Sequence, residues 1–136
     1  MDTSETYVKM CEKAVEIQEL SDTEGFRSTN LLNNIFYNIN IHNFETTYCY
    51  KHKNNVWLPR QDQLQEIIKT DDIILDCSKF FSFVAFYTCE RDRLDQVKKQ
   101  TLSMEQLWLA FVMSQKYGKT WNGGDWRLAN TLLEME

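Results

Sequence analysis

The chain has 136 residues, 43% of them hydrophobic and 26% charged, which is the composition of a folded globular domain and excludes a disordered one. Fifteen basic against twenty acidic residues leave a net charge of -5, which argues against a broad cationic surface for nucleic acid and is compatible with docking onto a basic partner. One domain covering residues 1–136 is expected, and a chain of this size buries roughly 68–70% of its extended-chain surface without help from disulfides or metals.

Met1 to Glu5 is polar and acidic and no apolar stretch follows it, so no secretory signal is expected. Cys11, Cys49, Cys77 and Cys89 form no CxxC pair; free thiols in a reducing cytoplasm are the expectation. In Thr6 to Leu20, the residues Tyr7, Met10, Cys11, Ala14, Ile17 and Leu20 recur at three- and four-residue spacing opposite Lys9, Glu12, Lys13, Glu16 and Glu19. This predicts an amphipathic helix, with Ser4 or Thr3 as its cap and Ser21 to Gly25 as the loop that ends it.

From Asn33 the period changes to two. Ile35, Tyr37, Ile39 and Ile41 alternate with Phe36, Asn38 and Asn40, and after His42-Asn43 a second alternating run starts at Phe44. Two strands, then a turn at Asn54-Asn55 and a short third strand Val56 to Leu58, predict a small antiparallel meander. Pro59 marks a boundary, and a helix from about Arg60 has one narrow apolar edge in Leu64, Ile67 and Ile68. Asp71-Asp72 breaks it, and Asp76 or Ser78 is the expected cap of an almost wholly apolar helix through Phe80, Phe81, Phe83, Val84, Phe86 and Tyr87. Arg91 to Gln100 reads as a solvated helix or linker.

Ser103 to Gly118 contains the strongest run, Leu107 to Met113, which leaves no polar face over two turns. Ser103 is its cap, with Gln106 three residues on, and Gly118 its stop. A helix apolar all round is buried, and this run is far shorter than the ~20 residues that span a bilayer. It is therefore expected at the centre of the core, packed on the Phe80 to Tyr87 helix. After an Asn122-Gly123-Gly124 turn, Asp125 is read as the cap of a final helix with Trp126, Ala129, Leu132 and Leu133 facing inward. The fold class expected is α+β, a meander packed against a predominantly helical core.

Three stretches, YVKMCEKAVEIQEL at 7–20, WLPRQDQLQEI at 57–67 and SMEQLWLAFVM with YGKTWNGGDW between 103 and 126, resemble a group of small proteins encoded by phages and prophages of Firmicutes. The chain departs from that pattern after the first helix, where LSDTEGFRSTN replaces a stretch with a tryptophan and Gly-Asp-aromatic. The resemblance implies a phage-like genomic setting and a single small domain.

Catalytic and metal signatures are weak. Cys49 and His52, with His42 nearby, have one ligand-like spacing, but residues three apart on a strand point to opposite faces. Asp71-Asp72 and Glu134/Glu136 are acidic pairs of the kind found at caps and termini, and no phosphate-cradling loop is present. No cofactor and no reaction are therefore expected. Trp57, Arg60, Gln61, Asp62, Gln63 and Gln65 place an aromatic beside many donors and acceptors at a strand-to-helix junction, a pattern typical of interface anchors, although Trp57 can equally fill the core.

The expected function is that of a phage accessory protein that binds a host or phage protein, of the kind that inhibits a bacterial defence system such as a CRISPR effector. Glu12, Glu16, Glu19, Asp22 and Glu24 would form an acidic face imitating nucleic acid. The alternative is a binder of a nucleotide or signalling molecule in a pocket near Trp57, Arg60 and the Trp121/Trp126 turn, where the two indoles would offer a stacking platform, although aromatic closure of the core is the favoured reading of that pair.

Overall fold

The computed structural model describes residues 2–20, 34–47, 55–94 and 102–128. Ser4 starts α1 (Glu5–Lys13): its Oγ accepts the Tyr7 N–H at 3.2 Å, satisfying one of the unpaired amides of the first turn. The helix breaks at Ala14 (φ -83, ψ 75) and resumes as α2 (Val15–Leu20). The single helix expected over Thr6 to Leu20 is thus two segments, although Tyr7, Met10, Cys11, Ala14 and Ile17 all stay buried. The break has a local partner. Gln18 Nε2 donates to the Cys11 carbonyl at 3.0 Å and to the Trp57 carbonyl at 2.9 Å.

Strands β1 (Asn34–Asn38), β2 (Asn43–Thr47) and β3 (Asn55–Leu58) form one antiparallel sheet in the order β2-β1-β3. The three strands are those expected, but they are not a meander, because β3 returns to the far side of β1 with Phe36 opposite Trp57. Beside β1, β3 also packs against α1, and all four of its residues are buried. Gln18 supplies part of what a further strand would, since its Oε1 accepts the Trp57 N–H at 2.8 Å. β1 is also shorter than its alternation suggested. Asn38 Oδ1 accepts the N–H groups of Asn40 and Ile41 at 2.9 and 3.3 Å, which ends the strand and turns the chain, leaving Ile39 and Ile41 exposed.

After Pro59, Arg60 opens α3 (Gln61–Ile68), and Gln63 Oε1 accepts the Arg60 N–H at 2.9 Å. Leu64 is fully buried, while Ile67 and Ile68 pack against the core. The next helix, α4 (Ile73–Leu94), is capped by Asp72, whose Oδ1 accepts the Leu75 N–H at 3.1 Å, and not by Asp76 or Ser78. Asp76 lies in its first turn and accepts from Thr70 N–H and Oγ1 at 2.8 and 2.6 Å, tying the helix start to the preceding loop. The α4 helix extends through Leu94, so Arg91 belongs to it, and residues 95–100 lie outside the described residues.

α5 (Met104–Tyr117) has the bounds that its caps imply. Ser103 Oγ accepts the Gln106 N–H at 3.1 Å, and Gly118 closes the helix with φ 65. Its Leu109, Val112 and Met113 are wholly enclosed, in one cluster with α1, α3 and the sheet. Asp2 reinforces the start of α5 by accepting from Ser103 Oγ and from Gln106 Nε2, the latter at 2.8 Å.

A second sheet corrects the last expected element. Instead of a helix from Asp125, β4 (Lys119–Trp121) and β5 (Trp126–Leu128) pair as a hairpin with Trp121 opposite Trp126. Asn122 Oδ1 accepts from Gly124 N and Asp125 N at 2.9 and 2.8 Å, and Gly123 takes φ 101, a turn that a side chain would strain. Ala129, Leu132 and Leu133 lie outside the described residues. The architecture is α+β, and no helix among the described residues is long and apolar enough to cross a membrane.

Candidate functional site

Two of the anticipated surfaces have other uses in the fold. Trp57 is fully buried, with both its backbone polar groups held by Gln18, so it is a core residue and not a partner contact. Trp121 is 8% exposed and packs on Trp126 at 5.1 Å between ring centroids, tilted by 53°, while Trp126 Nε1 donates to the Met10 carbonyl at 2.9 Å. The indole pair closes the core over α1, and Trp57 and Trp121 are both buried.

The acidic face is also interrupted. Glu16 pairs with Lys119, Lys13 reaches Asp125 at 3.9 Å, and only Glu12 and Glu19 are left exposed among its described carboxylates. Asp22 and Glu24 lie outside the described residues, as do Cys49, His52, Glu134 and Glu136. His42 faces Tyr37, with 2.7 Å between Nδ1 and the phenol oxygen. Among the described residues no three His, Cys, Asp or Glu side chains are grouped as metal ligands. Cys11 and Tyr7 are the buried titratable pair, and burial pushes both well above their ordinary pKa, so each stays protonated; the Tyr7 hydroxyl donates to the Pro59 carbonyl at 2.6 Å.

An open concavity among the described residues lies elsewhere, where α3, α4 and α5 meet. α4 rests on α5 through an aromatic layer: Phe80 stacks on Trp108 at 3.8 Å and 5° between planes, and Phe80 and Phe83 each approach Phe111 at 5.4 Å. α3 packs closely on α5 but diverges from the start of α4, because the Thr70–Asp76 tie holds the intervening loop outward. The divergence leaves a groove of about 650 Å³ with an apolar floor of Ile67, Ile68, Trp108 and Phe111.

The polar groups on this groove fall into two sets. Its acids are engaged: Asp62 accepts from Arg60 Nε at 3.0 Å, Glu66 pairs with Lys69 at 3.1 Å, and Asp76 holds Thr70. Of its other polar side chains, Gln65 and Gln115 offer both a donor and an acceptor, while Lys79, Lys116 and Trp108 offer donors alone. Lys79 and Lys116 pair with no carboxylate among the described residues, the latter standing 6.0 Å above the Tyr117 ring. The Trp108 Nε1–H is buried in the groove wall without an acceptor. Around an apolar floor, such a set is suited to a ligand that carries carboxylate or other acceptor oxygens on an apolar body.

Of the residues anticipated from sequence, Asp62 and Gln65 line this groove, while Arg60 and Gln61 sit at the start of the same helix. None of the groove's lining residues belongs to α1 or α2. Lys79, Lys116 and Trp108 were not anticipated as a site, because the packing of α4 on α5, and no local spacing, brings them to one groove. Comparison of the chain with family models, curated proteins and solved structures yields no match.

Proposed function

We propose that this chain is a non-enzymatic accessory protein, of the phage or prophage setting its sequence resembles, that binds a host or phage protein through the α3/α4/α5 groove. The observation that carries the reading is the groove itself, with an apolar floor left open and two cations, Lys79 and Lys116, that form no ion pair with a carboxylate among the described residues. A partner segment with an apolar face and flanking carboxylates satisfies both features at once, the apolar part displacing water from Ile67, Ile68 and Phe111. Occupation of a bacterial defence protein in this way would inhibit it by steric block, without chemistry. The acidic face on α1 and α2 is not required.

The test is affinity purification of the tagged protein from a bacterial host, with the native chain beside Lys79→Glu/Lys116→Glu. A stoichiometric partner retained by the native chain and lost by the variant, with circular dichroism unchanged, supports the reading. A partner captured equally by both places binding elsewhere.

A second reading rests on the groove's size, since about 650 Å³ falls within the range of small-ligand sites. A signalling nucleotide or other anionic small molecule would then be the ligand. A thermal-shift panel separates the two, because a ligand at 100 times its dissociation constant adds about 2.7 kcal/mol to stability.

A further inference from the structure

The groove takes Ile73, Asp76, Cys77 and Lys79 of α4, and over residues 73–87 a second, largely apolar side of this helix is exposed. Phe80, Phe83 and Tyr87 point to the core side. Ile74, Cys77, Phe81 and Ala85 are all exposed and follow one another at steps of three, four and four residues along the other side. That spacing is the seam by which one helix packs along another. Leu75, Ser82 and Phe86 form its second flank.

The exposure is large: Ile73 is 73%, Ile74 79%, Leu75 45%, Phe81 78% and Phe86 68% accessible. With side chains of this class, the apolar area on offer is roughly 600 Å² per copy, at the upper end of what a monomer displays. The seam from Ile74 to Ala85 presents no charge on this side of the helix except Lys79 at its border, in a chain of net charge -5.

We propose that a second copy of the chain covers this face, with the two α4 helices antiparallel about a two-fold axis at Phe81. Two such faces bury about 1,200 Å², the lower bound of specific interfaces. The sequence of the face is complementary to itself in that register. Phe81 meets Phe81 across the axis between the small Ser78 and Ser82, Cys77 faces Ala85, and Leu75 faces Phe86. The antiparallel arrangement sets the positive end of each helix dipole against the negative end of the other. The same patch on both subunits closes the assembly at two. Cys77 and Ile73 border the groove as well as this face, but mass and cross-linking read the pairing of copies whatever the groove's ligand is.

Light scattering of the purified chain at tens of micromolar should give twice the 16.2 kDa mass of one copy. Phe81→Glu, at an exposed position that leaves the fold intact by circular dichroism, should raise the dimer dissociation constant about 100-fold or more. In a Cys49→Ser/Cys89→Ser background, Ala85→Cys oxidised with copper phenanthroline should give a reducible dimer through the native Cys77 of the other copy. The same background without the new cysteine should give none. A monomer mass for the native chain, a dimer indifferent to Phe81→Glu, or a Cys77-to-Cys77 bridge between copies would overturn the proposal.

Discussion

Gln18 is polar, only 4% exposed, and bonded on both sides of its amide: Nε2 to the Cys11 and Trp57 carbonyls, Oε1 from the Trp57 N–H. Gln18→Leu keeps the volume but removes the shared partner of three buried backbone groups. The expected loss is about 2–4 kcal/mol, read as a lower urea midpoint at unchanged m-value. Asp2 makes a prediction in pH. Burial raises the pKa of its carboxyl, but the hydrogen bonds from Ser103, Ser4 and Gln106 outweigh it, and the folded value lies below the ordinary one. A group with a depressed folded pKa stabilises the fold above its unfolded value and loses that contribution as pH falls through the folded one. The native chain should therefore lose stability below about pH 4 more steeply than Asp2→Asn, measured by urea titrations at stepped pH.

Among the elements, α4 is held to α5 by an aromatic layer, Phe80 and Phe83 on Trp108 and Phe111 with Tyr87 stacked on Phe83. Phe80→Ala should raise amide hydrogen exchange along the first half of α4 by about tenfold or more while α1 and β3 change little. Gly118 is different in kind. A Cβ there would meet nothing within 4 Å, so Gly118→Ala costs only the left-handed backbone, about 1 kcal/mol in thermal or urea melts. The helices were legible where the signals are local: the Tyr7 to Ile17 stripe, the Ser103 and Gly118 caps of α5, and the Asp71-Asp72 break.

What escaped the sequence depends on distant partners. The kink at Ala14 follows from Gln18 reaching Trp57, 39 residues ahead, and the β2-β1-β3 order from α1 lying against β3. The Phe80 to Tyr87 run reads as wholly buried because its composition is apolar, yet it has a neighbour on one side, and Phe81 and Phe86 face outward. Asn122-Gly123-Gly124 is the turn its residues imply, but Asp125 looks like a helix cap until Trp126 is seen paired with Trp121 and claimed by the Met10 carbonyl. Of the groove, only Asp62 and Gln65 were among the residues the sequence offered as interface anchors; Ile67, Ile68, Trp108 and Phe111 were read as core, and packing is what brings them to one opening.

At the scale of the whole molecule, pairing of α4 faces makes stability a function of concentration. The midpoint of thermal unfolding should rise with protein concentration in the native chain and stay constant in Phe81→Glu, measured by scanning calorimetry over a hundredfold range. The central position of β1 has a consequence in time. β1 and β2 close over a four-residue turn and can pair within ~1–10 μs, as isolated hairpins do. β3 joins the other edge only when α1 and α2 are in place, since Gln18 bonds to it across 39 residues, and Trp126 reaches Met10 across 116. Such distant closures slow folding. In a variant whose other three tryptophans are replaced by phenylalanine, a stopped-flow refolding trace followed by tryptophan fluorescence should record the late event, the arrival of Trp57 beneath α1, while the β1–β2 hairpin passes unseen because it contains no tryptophan.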